Sequence, residues 1–578
     1  MNPAQLLAHF DRISDAPDAV PRLRRFILDL AVRGKLVKQD PNDESASELL
    51  KQIEAEKARL VKGGRISKAK PHTPAGVDEL AFDLMPGWQA ARVSQILIEL
   101  QTGPFGSSLH QSDYQKGGVP VINPASIQNE RLVPIDSMAV GPATLERLAT
   151  FRLRAGDIVM GRRGEMGRCA VVTEQEDGWL CGTGSLILRL PECVYPQFFV
   201  TLIGCPFVRE YLSGSAVGAT MQNLNQSILL NLVVGLPPLA EQHRIVAKVD
   251  ELMALCDRLE AAQTEREGRR DRLVAASLHR LNNGADANAF REHARFHLQH
   301  LPHLTTRPEH IQQLRQTILN LAVRGRLVPQ DPNDEPASEL LKRIQVEKAQ
   351  LVAAGAIRKE KPLPPVSEDE APFSIPPTWS WTRIGSPALL IEYGTSVKSV
   401  QMDYGIPVLK MGDIQEGRVI LGGQKRVPRS IDDLPQLFLK RLDLLYNRTN
   451  SAELVGKTGI YLGDDDTHTF ASYLIRIRFA NKLTNPVYAN LSMNAPYFRE
   501  TQIVPELQQQ CGQANVNGTK LRSMIIPLPP LAEQHRIVAK VDQLMALCDR
   551  LEAQLTAAQT ESRRLLEALL HEALASSA

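Results

Sequence analysis

The residues of this chain best suited to chemistry are ones that grip an anion or a base rather than ones that break bonds. Arg162 and Arg163 stand between Gly161 and Gly164 after an apolar run, in a turn able to project two guanidinium groups. Arginine pairs bidentately with guanine O6/N7 or clamps a phosphate; the simpler alternative is a pair of surface arginines in local ion pairs. At the matching place in the second half, Arg448-Thr449-Asn450-Ser451 offers one arginine and an amide suited to adenine. Ser107 and Ser108 in GPFGSSL, with Thr395, Ser396 and Lys398 opposite, have the look of loops whose backbone approaches a phosphate. Asn223, Asn225, Asn515 and Asn517 either contact bases or fix the turn into the helix that follows, a common use of Asn.

No complete catalytic motif accompanies them. Residues 451–458, SAELVGKT, are similar to a phosphate-binding loop, but Ser451 replaces the first glycine and no strand-then-helix context surrounds it. The plain reading is a loop that carries a lysine, Lys457; the sharper one is a contact from that lysine to a DNA phosphate. Asn494-Ala495-Pro496-Tyr497 is similar to the Asn-Pro-Pro-Tyr loop of adenine methyltransferases, yet Ala495 breaks it and no glycine-rich cofactor loop precedes it; a structural turn is expected. His293, His297, His300 and His303 are read as a solvated helix face, because the first half does not keep the cluster. Cys169, Cys181, Cys193 and Cys205 fall 12 residues apart without the close pairs that zinc sites use, so free thiols are expected.

The elements that must position these residues come as repeats, the first feature to seek in a long chain. Residues 236–261, LPPLAEQHRIVAKVDELMALCDRLEA, return as 528–553 with the single change of Glu251 to Gln543. A double proline suits a helix start. Ile245, Val249, Leu252, Cys256 and Leu259 then step by 4, 3, 4 and 3, as do Ile537, Val541, Leu544, Cys548 and Leu551, the spacing of a coiled-coil seam. Helical from 239 to 281, the first copy is roughly 65 Å long. A rod with one apolar stripe needs a partner, and the other copy is the expected one.

Residues 23–64 match 314–355 at 30 of 42 positions. Within them a helix is expected to stop at Gly34, Asp40–Asp43 to turn, and Ser45 or Ser47 to cap the next helix. A charged, Pro-rich linker follows in each half. Then come two inserts, about 81–235 and 373–527, of short β-like runs: GVPVI, GDIVMG, CAVVT and SLILRL in the first. The inserts are alike only in outline. Equal scaffolds suggest two equal sites for one kind of partner; unequal inserts suggest two different objects being read. Residues 282–313 resemble in placing the start of the chain, so the C-terminus is expected to meet the N-terminus as the first long helix meets the second half.

At 578 residues the chain should hold three or four domains. Its 43% hydrophobic and 23% charged residues fit a soluble protein, with no run able to span a bilayer and no signal-peptide pattern. Seven cysteines, an odd number, fit a reducing compartment. A cytoplasmic protein is expected. The net charge of +2 neither demands nor excludes nucleic acid.

With these residues in view, the chain resembles the specificity subunit of a type I restriction-modification enzyme. The resemblance covers nearly the whole chain: the LPPLAEQHRIV…LMALCDRL helices, the LAVRGKLVxQDPNDExASELL segments, and TGPFGSSLHQSDY, GDIVMGRRGEMGRCAVV and NRTNSAELVGKTGIYLG in the inserts. It implies an α+β chain in which two globular target recognition domains are joined by two long helices forming an antiparallel coiled coil, with a pseudo-twofold internal repeat. The boundaries are an N-terminal helical region 1–78, recognition domain 79–236, long helix 237–283, central helical region and linker 284–366, recognition domain 367–528 and long helix 529–578. Each domain would read one half of a split, asymmetric site in double-stranded DNA, with the helices as spacer.

The resemblance further implies that this chain is non-catalytic and holds no cofactor. Two modification subunits would bring S-adenosylmethionine and the adenine-methylating sites, and restriction subunits the ATP- and magnesium-dependent motor and nuclease. The candidate DNA contacts are then Ser107, Ser108, Lys116, Asn123, Arg162, Arg163, Arg168, Asn223 and Asn225 in the first domain. In the second they are Thr395, Ser396, Lys398, Lys410, Arg448, Asn450, Lys457, Asn515, Asn517 and Lys520. Insert 81–235 carries 11 Lys/Arg against 13 Asp/Glu, and 373–527 carries 17 against 13. Phosphate neutralisation dominates DNA affinity, so neither insert is a strong solitary binder and the modification subunits are expected to supply much of the grip. Two alternatives stand beside this: a self-sufficient methyltransferase or nuclease, which would bind S-adenosylmethionine alone, and a coiled-coil adaptor with protein-binding inserts, which would show no sequence preference on DNA.

Overall fold

The computed structural model describes residues 16, 18–67, 75–80, 82–105, 108–215, 224–283, 286–510 and 513–575. Two compact units divide the chain: Met1–Arg266 with Gln559–Ala578, and Glu267–Ala558. The cuts fall inside the two long helices, not at the sequence repeat.

In the first unit, α1 (Ala19–Val32) turns Val20, Ile27 and Ala31 inward. It stops at Gly34, whose φ is +68° and where Lys35 N–H donates back to Leu30 O at 2.9 Å. A Cβ there would lie 2.6 Å from Met85 and 3.0 Å from Trp88, so glycine is required both by conformation and by space. Helix α2 (Ala46–Lys62) has Ser45 at its N-cap position, but the Ser45 hydroxyl pairs with Ser47 at 2.8 Å instead of capping the backbone. The first insert opens with β1 (Gln89–Arg92) and closes with β7 (Val233–Leu236), paired antiparallel from Gln89↔Leu236 to Arg92↔Val233. Both ends of the insert therefore leave together, and β7 leads straight into the long helix.

Between them, β2 (Glu99–Thr102), β4 (Ile158–Gly161), β5 (Cys169–Val171) and β6 (Ser185–Arg189) make an antiparallel sheet in the order β2-β6-β4-β5, while β3 (Val119–Ile122) joins a second small sheet. Helix α3 (Pro196–Gly204) packs on the first sheet, and α4 (Gln226–Asn231) precedes β7.

The long helix α5 (Leu239–Asn283) runs 45 residues, about 67 Å at 1.5 Å per residue. Its stripe, Ile245, Val249, Leu252, Cys256 and Leu259, reads from the sequence as a seam against the second long helix. Ile245, Val249 and Cys256 of this stripe are buried with Val20, Ile27 and Ala31 of α1, and with Trp88 and Phe198 of the insert, while Leu252 and Leu259 pack at the edge. Arg24 reaches Asp257 at 2.6 Å and Glu260 at 2.9 Å, Arg244 reaches Asp43 at 2.6 Å, and the Trp88 indole donates to Glu241 at 3.1 Å. The chain's last turns complete this unit: Leu566, Leu569 and Leu570 cover Ala16 and Ala19, and Lys35 Nζ donates to Leu574 O at 2.6 Å.

The second unit repeats the arrangement internally. Following α6 (Ala287–Gln299), α7 (Pro308–Val323) and α8 (Ala337–Ala353), strand β8 (Ser380–Arg383) opens the insert. A six-stranded sheet contains β9 (Ala388–Tyr393), β10 (Leu444–Asn447), β12 (Thr458–Ile460) and β13 (Leu474–Phe479), while β11 (Thr449–Asn450) belongs to a separate three-stranded sheet. After α9 (Pro486–Asn494) come β14 (Gln508–Gln510), β15 (Gln513–Asn515), α10 (Gly518–Ser523) and β16 (Ile525–Leu528), the last paired with β8. The second long helix is α11 (Leu531–Ala575). Ile537, Val541 and Cys548 are buried against Ile311, Ile318 and Ala322 of α7, with Leu544 and Leu551 beside them. Arg315 pairs with Asp549 at 2.7 Å, Arg536 with Asp334 at 2.7 Å, and the Trp379 indole donates to Glu533 at 2.9 Å.

The tail of α5 packs here as the tail of α11 packs in the first unit. Val274, Leu278 and Leu281 meet Leu304 and Phe290, and Arg326 Nη1 donates to Asn282 O at 3.1 Å. The expected solvated histidine face is corrected at one position: His297 is only 3% exposed, with Nδ1 3.0 Å from the Ser277 hydroxyl. The apolar side of α6 must bury something against α5, and His297 lies on it. Among the described residues no group of histidines, cysteines and carboxylates could hold a metal ion, and no helix is long and apolar enough to cross a membrane.

Burial pushes the His297 imidazole below its usual value of 6.5. A depressed histidine contributes stability that is fully present above about pH 6.5 and is lost as pH falls below it. Between pH 7 and 5.5 the wild-type chain should lose more of its Tm than a His297→Gln variant; equal losses would show that this group does not titrate against folding.

Candidate nucleic-acid interface

The two insert arginines sit in one backbone frame, built twice. In the first domain β4 ends at Gly161 because the chain turns there through Gly164 (φ +81°). Arg162 N–H donates to Gly184 O at 2.8 Å, and Arg162 C=O accepts from Leu224 N–H at 2.9 Å. The next residue, Asn225, accepts Ser227 N–H at 3.2 Å and so caps α4. In the second domain Val516 N–H donates to Arg448 C=O at 2.8 Å, and Asn517 accepts Lys520 N–H at 2.9 Å to cap α10. Each domain thus ties the residue after its central strand to the turn before the closing strand, bringing Arg162 to Asn225 and Arg448 to Asn517.

Beyond that frame the domains part. Arg162 Nε lies 3.4 Å from Leu224 O, and Arg163 is exposed. Arg448 donates from Nη1 to Ser472 O at 3.2 Å, and its guanidinium lies 4.9 Å from the centre of the Tyr393 ring, a cation–π distance. Tyr393 is itself tied in, its hydroxyl accepting Gly518 N–H at 2.6 Å. Asn450 lies in β11, paired with β15 through Thr449↔Asn515 and Asn450↔Ala514, and its Oδ1 accepts Ser451 N–H at 2.8 Å. The Asn515 Oδ1 is buried with no hydrogen-bond partner among the described residues. A buried unsatisfied carbonyl of this kind costs roughly 1–3 kcal/mol.

Several candidates are occupied inside the fold. Thr395 is 3% exposed; its hydroxyl donates to Asp433 and accepts Val397 N–H at 3.1 Å, so it shapes the loop and does not face a ligand. Asn123 holds its amide 3.3 Å from Met138 Sδ and crowds the backbone of Gly182, where a Cβ would come within 2.3 Å. Arg168 pairs with Glu165 at 2.9 Å, and Arg209 reaches the same carboxylate at 2.6 Å. Those two guanidiniums hold Glu165 below the usual carboxylate range. Arg168 therefore takes the local ion-pair role that surface arginines often have.

Ser108 is half-buried, and its carbonyl accepts from Arg147. Lys116, Ser396, Lys398, Lys410 and Lys457 are exposed, Lys410 N–H donating to Asp413 at 2.6 Å; Lys520 is half-buried on α10. No contact places Lys116 beside Arg162, or Lys398 and Lys410 beside Arg448, among the described residues. Ser107 and Asn223 lie outside the described residues.

Ion pairs within the sheets hold the arginine-bearing strands. Arg189 bridges Glu99 at 2.6 Å and Asp157 at 3.3 Å, the aspartate standing just before β4. In the second domain Asp443, just before β10, pairs with Arg478 at 2.6 Å, and the buried Arg476 reaches Glu392 and Phe438 O. Sequence reasoning passed over the exposed aromatic residues of both domains. Tyr393, Tyr473 and Tyr404 are exposed in the second domain, Tyr404 at 72%, and Phe105 is 67% exposed in the first. Exposed aromatic rings can stack on bases. None of these rings belongs to a periodic pattern that would draw notice.

With that geometry in place, residues 87–267 and 394–558 both match one family, the type I restriction modification DNA specificity domain. The chain belongs to the family of type I restriction-modification specificity subunits. It is 32% identical over 567 residues to the specificity subunit of the type I restriction enzyme EcoEI of Escherichia coli, covering 96% of this chain and 94% of that one. To the EcoAI specificity subunit of Escherichia coli it is 31% identical over 576 residues, with the same coverage. The HsdS subunit of Thermoanaerobacter tengcongensis, of known crystal structure, shares 19% identity, with a TM-score of 0.43 over 86% of this chain and 99% of that one. Both matched segments of this specificity subunit run from the recognition domain into its long helix, so the duplicated unit is the pair of domain and rod.

The two asparagine caps separate a structural role from a contact role. Asn225→Ala and Asn517→Ala should each lower the stability of their domain by about 1 kcal/mol, and Asp at either position should restore it. Denaturant unfolding of the full chain measures this; no loss in either variant would leave ligand contact as the reason for the asparagines.

Proposed function

We propose that this specificity subunit reads a bipartite, asymmetric target in double-stranded DNA, one half-site per recognition domain, and docks two modification subunits on its two helical scaffolds. The observation that carries the reading is the repeated frame with unlike faces. Arg162–Leu224–Asn225 and Arg448–Val516–Asn517 share one backbone arrangement, while the side chains around them differ. Two readers of common descent and different surface suit two different half-sites. Two nearly identical scaffolds suit one kind of partner bound twice.

In this reading the chain performs no chemistry. The modification subunits bring S-adenosylmethionine and methylate adenine, and restriction subunits bring the ATP- and magnesium-dependent motor and nuclease. The weak net charge of both inserts supports a shared grip, with the modification subunits closing around the duplex and supplying phosphate contacts. Such an assembly acts on DNA in the cytoplasm. Reading both half-sites on one face needs centres about 34–36 Å apart or a multiple of that, a distance that a 45-residue helix can hold.

Two tests follow from the spacer and from the arginines. A heptad inserted in both long helices, after Ala262 and after Gln554, keeps the stripe in phase and adds about 10 Å, the rise of about three base pairs. A methylation-site map should then show both half-sites kept and the gap lengthened by about that amount; an unchanged gap would refute the spacer role. Arg162→Ala and Arg448→Ala should each relax specificity at one position of their own half-site by on the order of 10–100-fold if they read guanine. If they clamp phosphate, binding should weaken uniformly and the salt slope should drop by about 1. No change in either measurement would remove them from the interface.

A further inference from the structure

We infer that Tyr393 is the positioning residue for Arg448: its ring holds the guanidinium in the bearing that reads the second half-site. This rests on the DNA-reading function proposed above and names what makes the second reader unlike the first. Sheet register puts Thr102 and Tyr393 at the same place in their domains. Thr102, at the end of β2, stands opposite Leu186, which stands opposite Met160 of β4, two residues before Arg162. Tyr393, at the end of β9, stands opposite Ile475, which stands opposite Tyr446 of β10, two residues before Arg448. In each domain this strand end is bridged to the residue that follows the capping asparagine. Gln226 Nε2 donates to the Thr102 hydroxyl at 2.7 Å, and Gly518 N–H donates to the Tyr393 hydroxyl at 2.6 Å.

The bridge is the same and its parts are exchanged. In the first domain a short side chain on the strand meets a long one on the helix; in the second a long one on the strand meets glycine. Gly518 has no positive φ that would call for glycine. Space calls for it instead, since a Cβ there would lie 3.0 Å from the Tyr393 hydroxyl oxygen and 3.3 Å from the ring. The exchange puts a ring where the first domain has none, and that ring lies 4.9 Å from the Arg448 guanidinium carbon. Arg448 is half-buried, with Nη1 on Ser472 O at 3.2 Å and Nε buried without a hydrogen-bond partner among the described residues. A charge drawn out of water in this way needs compensation, and the face of a tyrosine ring supplies it. Held by Ser472 and by the ring, Arg448 loses less side-chain freedom on meeting a base and meets it in a preset geometry. Thr102 offers Arg162 no such face, and Arg162 Nε is left 3.4 Å from Leu224 O.

The experiment uses the full chain assembled with its modification subunits in cells. Adenine methylation of the genomic DNA is compared between cognate sites and sites with one base changed. Tyr393→Thr combined with Gly518→Gln gives the second domain the bridge of the first, so each lost group has a replacement. At the position of the second half-site that Arg448→Ala relaxes, this double variant should lower discrimination by about 3–30-fold, the range that a cation–π contact supplies. Tyr393→Phe keeps the ring and should keep that discrimination. In an Arg448→Ala background the double variant should change nothing further. An unaltered first half-site and gap show that the variants fold and assemble. An unchanged map for the double variant overturns the inference, as does a uniform loss with no change in preference. An equal loss in Tyr393→Phe, or an effect that persists without Arg448, overturns it too. If Arg448→Ala itself moves no position, the reading role of the arginine fails and that of Tyr393 with it. A wild-type assembly that methylates no two-part site defeats the functional reading instead; a two-part map that Arg448→Ala relaxes and the double variant does not defeats the role of Tyr393 alone.

Discussion

The structure depends on one packing event made twice: the apolar stripe of a long helix closing on a short helix and on the foot of a recognition domain. In the first unit Ile245, Val249 and Cys256 meet Val20, Ile27, Ala31, Trp88 and Phe198. Ile537, Val541 and Cys548 meet Ile311, Ile318, Ala322, Trp379 and Tyr488 in the second. Full burial of an isoleucine or valine is worth about 1.5–3 kcal/mol, so each cluster is a substantial share of the stability of its unit. The polar rungs add direction. Trp88 and Trp379 donate to Glu241 and Glu533, fixing the domain against the first turn of its rod.

That joint explains why the recognition domains can diverge while their frames stay alike. Each insert begins and ends on one strand pair, β1 with β7 and β8 with β16, and the closing strand leads into the long helix. What happens beyond the pair is free to change provided the central strands stay anchored. Arg189 with Asp157 and Arg478 with Asp443 do this by ion pairs at the strand that carries each arginine. Around Arg162 and Arg448 the side-chain contacts differ between the two domains. A reading surface can therefore be rebuilt without disturbing the rod beneath it.

Much of the scaffold was legible from the sequence because its signals are local. Gly34 stops a helix through a backbone angle that only glycine takes easily, and the short runs GDIVMG, CAVVT and SLILRL are strands because they alternate or run apolar between turns. The candidate site was less legible. Arg162 and Arg448 were chosen by type, yet their placement depends on backbone bonds to Leu224 and Val516, far along the chain. Thr395 and Asn123 were chosen by the same logic and proved to be bonded within the fold, since side-chain type does not disclose which polar groups find partners nearby. Tyr393 and Tyr473 gave no pattern to follow.

By itself the sequence determined the duplication, the two rods, the change to β structure in the inserts and membership of the family, because identity and periodicity are properties of the chain. Tertiary structure alone decided what each rod leans on. A heptad stripe states that one face is to be buried, and in each unit a short helix, α1 or α7, fills part of that face because its own apolar side lies close and complementary. The same holds for the division into units inside the long helices, where the tail of α5 joins the second unit and the tail of α11 the first. Burial rewards contact in space, not adjacency in sequence, so the compact bodies do not end where the repeats do.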